Sequence, residues 1–146
     1  MNNTSGTVGR GLSVALASAL LTVAMGAGVA SAQQVKVTLS GDQEVPAVKT
    51  AGAGTGTIAV AADKSVTGSV TTSGVAGTMA HIHEAAAGKN GPVVIPLSKS
   101  GDSTWSVPAG AKLTDAQFNS FKAGNLYVNV HSAANQGGEV RGQLKP

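Results

Sequence analysis

No cysteine occurs anywhere in the 146 residues. That excludes disulfide staples, a cysteine nucleophile and lipid attachment through a thiol. Aromatics are nearly as scarce: Trp105, Tyr127, Phe118 and Phe121 are the whole set, so Val, Ile, Leu and Ala must fill the core. Lysines are scattered singly, without a basic run or an aromatic platform beside it, which speaks against nucleic acid and against a polybasic membrane patch. The chain has no G-x-S-x-G and no serine placed near a His–Asp relay. Its seven acidic residues are dispersed and give no carboxylate pair for sugar hydrolysis. No glycine pattern for phosphate opens a helix.

The N-terminus has a distinct make-up. Before residue 33 there is one basic residue, Arg10, and no acidic one; an apolar run spans 12–25, and Ala30, Ser31 and Ala32 precede Gln33. A positive start, an apolar stretch and a small-x-small site form a secretory leader. We expect residues 1–32 to be a signal peptide, cleaved after Ala32, with a periplasmic or secreted product that is not inserted in the membrane. Loss of Arg10 lowers the formal charge from +3 to +2.

From residue 33 onward the apolar period is two, which predicts strands. Eight are expected, over 35–39, 54–60, 65–71, 78–83, 92–97, 103–107, 126–131 and 138–144. Turn signals such as 40–42 and 62–64 separate them. One helix interrupts the series: Thr114 is a suitable cap, Asp115 suits the first turn, and Lys122 and Gly124 suit the end. The expectation is an all-β domain over 33–146, an antiparallel sandwich or barrel of about eight strands with one short helix.

The three histidines are the most informative feature. Residues two apart on a strand share a face, so Met79, His81 and His83 project together, opposite Ala80 and Ile82. Tyr127, Asn129 and His131 likewise oppose Leu126, Val128 and Val130. The apolar faces are expected in the core and the histidine faces away from it or in a cleft. An H-x-H pair with a third imidazole from a neighbouring strand makes a three-nitrogen site, which suits copper ahead of zinc. Met79, two residues away, is a candidate soft ligand for Cu(I) beside it. Glu84 and Glu139 flank the histidine strands and are candidates to orient an imidazole, or else are solvated loop carboxylates. Arg141 is expected to pair with Glu139. The plain alternative for each histidine is a surface hydrogen-bonder.

Three segments, 81–97 (HIHEAAAGKNGPVVIPL), 123–131 (AGNLYVNVH) and 137–144 (GGEVRGQL), together with 39–46 (LSGDQEVP), resemble the CHRD domain. That domain is named from chordin and occurs also in bacterial exported proteins. The resemblance implies a Greek-key-like β-sandwich and little about activity. The H-x-H-E strand is also similar to the copper strand of Cu/Zn superoxide dismutases. This likeness implies His81 and His83 as copper ligands and His131 as the third, on a superoxide-dismutase-like fold. The chain departs from those enzymes in having only three histidines, no cysteine pair and no evident zinc loop. The first reading is therefore an exported metal-binding module without assigned catalysis. A structural or protein-interaction module of the cell envelope without metal is the second, and a copper-dependent oxidoreductase the third.

Overall fold

The computed structural model describes residues 31–146; the expected leader falls on residues 1–30, outside that range, apart from its last two positions. Nine strands form: β1 (Gln33–Ser40), β2 (Ala53–Val60), β3 (Val66–Ser73), β4 (Gly77–Glu84), β5 (Val93–Pro96), β6 (Ser98–Lys99), β7 (Thr104–Ser106), β8 (Leu126–Ser132) and β9 (Val140–Leu144). The helix α1 (Asp115–Lys122) lies between β7 and β8. The additional strand arises because the run expected over 92–97 ends at Pro96 and pairing resumes at Ser98 with a different partner, Ser106.

All strands belong to one sheet in the order β5-β4-β8-β9-β1-β2-β3-β7-β6, every pair antiparallel. The two outermost strands are consecutive in the chain, separated only by Leu97, whose amide donates to the Ala80 carbonyl at 2.9 Å. The sheet therefore curls until its ends almost meet, giving the sandwich-like, nearly closed architecture expected of short alternating strands.

Alternation fills the interior. Val35, Val37 and Leu39 of β1, Ile58 and Val60 of β2, Val66 and Val70 of β3, and Ala80 and Ile82 of β4 all turn inward and are buried. Leu126, Val128 and Val130 of β8 join them, with Val140 and Leu144 of β9. Trp105 and Phe121 are the two aromatics of this core. Thr114 caps α1 as its sequence suggests: its hydroxyl accepts from the Gln117 amide while the Gln117 side chain accepts from the Thr114 amide. Each of these bonds satisfies an otherwise orphaned helix donor.

The opposite face of β8 departs from expectation. Tyr127, Asn129 and His131 are 3%, 2% and 7% exposed, so this strand is buried on both sides. Loops fold over the outer face and tie down to it. Glu44 accepts from Asn129, the Lys89 carbonyl and Asn90 accept from Arg141, and Gln136 engages His131. Asn90 in turn donates to the Val45 carbonyl, joining two of the covering loops. Beside the apolar interior, β4, β8 and β9 thus carry a second, polar core.

Among the described residues, no helix is long and apolar enough to cross a membrane.

Candidate metal centre

The pairing of β4 with β8 brings the histidines together. His81 lies opposite Asn129, His83 opposite Tyr127 and Met79 opposite His131. Directly paired residues in an antiparallel ladder share a face, so all six side chains project to the outer side. Ring centroids of His81 and His131 are 4.9 Å apart, those of His81 and His83 5.5 Å, and those of His83 and His131 6.1 Å. One ligating nitrogen from each ring lies within 4.8 Å of the other two.

Backbone carbonyls fix the protonation pattern, because a carbonyl oxygen only accepts. His131 Nδ1–H donates to the Gln136 carbonyl at 2.8 Å, and His83 Nδ1–H donates to the Gly91 carbonyl at 3.0 Å. In the neutral rings both Nε2 atoms consequently carry lone pairs. That of His131 accepts from His81 Nδ1–H at 2.9 Å. That of His83 is buried and has no partner at all. A buried acceptor without a donor costs about 1–3 kcal/mol, and here it belongs to a ring in a group of three potential ligands.

Electrostatics disfavour a proton on two of the rings. Burial lowers the His81 imidazole from the ordinary 6.5, and the neighbouring His131 and His83 lower it further. Burial also lowers His83, outweighing the Gly91 carbonyl that acts in the opposite sense; His131 and Arg141 add to the lowering. Neutral imidazole is the form that binds a metal.

A stack supports His83 from behind. Its ring lies 4.9 Å from Tyr127 at an interplanar angle of 6°, and the Arg141 guanidinium carbon sits 3.4 Å from the centre of the same tyrosine ring. Because β8 runs between β4 and β9, the imidazole and the guanidinium approach Tyr127 from opposite sides. The Tyr127 hydroxyl accepts from the Gly91 amide at 3.3 Å, so one residue anchors both members of the stack. Gly91 must be glycine, since a Cβ there would fall 1.8 Å from the Glu84 carbonyl oxygen.

Several expected neighbours are engaged elsewhere. Glu84 accepts from Ser120 at 2.5 Å and fastens the end of β4 to α1. Glu139 is held below the usual carboxylate range by hydrogen bonds from Ser132 and Thr50, the latter at 2.7 Å. Neither carboxylate bonds an imidazole; the orienting acceptors are the two carbonyls. The expected Glu139–Arg141 ion pair does not form. With its carboxylate already satisfied, Glu139 leaves Arg141 to stack on Tyr127 and to face Glu44 across the polar core. Glu44 is pushed up to about 7 by burial, although Arg141 and the Asn129 side chain both pull it down. Sequence alternation marked Tyr127 and Asn129 as facing His131 but gave no sign of Glu44, whose only flag is its place in the 39–46 segment.

Fold and site together define an all-β domain of one antiparallel sheet with three imidazoles gathered on its outer face. The chain belongs to the CHRD domain family, whose family model matches residues 35–144. No curated protein matches it, and no solved structure does.

Proposed function

We propose that this CHRD-domain protein is exported and holds a transition-metal ion, copper in preference to zinc, through His81, His83 and His131. The observation that carries the reading is the buried, unpartnered Nε2 of His83 in a cluster of three imidazoles. The donor set is His83 Nε2, His131 Nε2 and a nitrogen of His81. Three nitrogens bound to one ion at ~2.0–2.1 Å in a trigonal or tetrahedral set are about 3.3–3.6 Å apart. One nitrogen from each ring already lies within 4.8 Å of the other two, so the rings need to close by at most about 1.5 Å. Imidazole donors suit copper and zinc alike, and the stability order of divalent ions favours Cu(II). The Gly91 and Gln136 carbonyls supply the orientation that a ligating histidine usually draws from a neighbour.

Calorimetric titration of Cu(II) and Zn(II) into the wild type and His81→Ala tests the site. The wild type should take up one equivalent with copper the tighter, and the variant should lose about tenfold or more in affinity. Equal binding by the two proteins refutes the assignment. Export is tested separately by N-terminal sequencing of the protein recovered outside the cytoplasm, which should begin at Gln33; an intact N-terminus there contradicts the leader.

A further inference from the structure

Only two large apolar side chains are exposed among the described residues, Met79 at 51% and Val93 at 49%. Both border the histidines: Met79 is the register partner of His131, and Val93 that of His83. Val93 has only methyl groups to offer. Met79 has a thioether on a flexible, unbranched stem. Directly opposed side chains start with Cβ atoms about 4.5–5.5 Å apart, and Met79 is also two residues from His81 on the same face of β4. It therefore stands next to two of the three imidazoles, on the side where the cluster meets solvent. His81 and His83 are partly exposed there, whereas His131, Tyr127 and Asn129 are covered.

The other side-chain donors near the cluster are of a different kind. Glu84 and Glu139 are held by Ser120 and Thr50. The unpartnered Asn129 oxygen is a hard donor, suited to hard ions. A thioether is soft and neutral; it selects Cu(I) and adds nothing useful for Zn(II). We propose that Met79 is a ligand to Cu(I), closing the exposed side of the three-histidine set so that the site accepts reduced as well as oxidised copper. This inference rests on the three-histidine reading and deepens it by naming the oxidation state that the fourth donor serves.

Met79→Leu tests it, because the side chain is exposed and leucine is close in volume, so the fold should be unaffected. Cu(I) affinity is measured anaerobically by competition with bathocuproine disulfonate, alongside Cu(II) and Zn(II) titrations of the same two proteins. The variant should lose about tenfold or more in Cu(I) affinity and keep its Cu(II) and Zn(II) affinities. X-ray absorption of the Cu(I) complex should show a sulfur neighbour in the wild type and none in Met79→Leu. Equal Cu(I) affinities, or a wild type that binds Cu(II) but not Cu(I), overturn the thioether ligand alone. A wild type that binds none of the three ions overturns the three-histidine reading with it.

Discussion

Glu44 offers a quantitative test of the polar core. Replacing it by glutamine keeps the size and an acceptor for the Asn129 amide while removing the titration. Its carboxyl moves from 4.5 to about 7 on folding, burial being the main cause. The folded chain thus retains a proton that the unfolded chain has released. The stability due to Glu44 is complete below pH 4.5 and is lost as pH rises through about 7. At 1.36 kcal/mol for each pH unit, the full loss is about 3 kcal/mol. Urea unfolding of wild type and Glu44→Gln from pH 4.5 to pH 8 reads this directly. The glutamine form mimics the protonated acid, so the two should be nearly equal in stability at the acid end. The variant should then become the more stable one by about 3 kcal/mol at the alkaline end. Comparison at equal pH cancels the opposite trend of His81 and His83, whose lowered imidazoles favour folding above 6.5 and cease to do so as pH falls. A stability difference that does not change with pH, or one that grows toward acid, refutes a buried carboxyl strained by ionisation.

Gly91→Ala should destabilise the fold by about 3 kcal/mol or more in urea unfolding, because the new methyl collides with the Glu84 carbonyl. It should also weaken Cu(II) uptake in calorimetry by displacing the carbonyl that holds His83; retention of both properties would show that the loop yields easily. Ring-proton NMR titration of the metal-free protein should show His81 and His83 taking up protons only below 6.5, since burial disfavours the charged form of both, so neither ring loses copper to a proton at that pH. A midpoint at or above 6.5 for either ring would contradict its burial.

How far the site is legible in the sequence depends on what carries each interaction. The period of two at 35–39 and 126–131 predicts both strands and their inward faces, and the cap chemistry at Thr114 predicts α1. The grouping of Met79, His81 and His83 on one face follows from the same rule. The proximity of His131 does not, because strands nearly fifty residues apart are paired by the whole topology. Burial of Tyr127 and Asn129 escapes the alternation rule, since loops brought from distant parts of the chain cover them. The atoms that orient His83 and His131 are backbone carbonyls, which every residue type possesses and no motif can mark. Glu139 stands two residues before Arg141, just outside β9. Spacing alone cannot reveal that Ser132 and Thr50 have already claimed the carboxylate.

The curling of the sheet bears on how the protein behaves when crowded. An open sheet ends in strands whose unpaired amides and carbonyls template the addition of further chains. Here the terminal strands are four and two residues long, and the amide between them is taken by Ala80. A foreign extended segment finds almost no ladder to join, so growth into fibrils by edge addition is blocked at both ends. The imidazole face can stay reachable by an ion while the backbone beside it stays closed to other polypeptides.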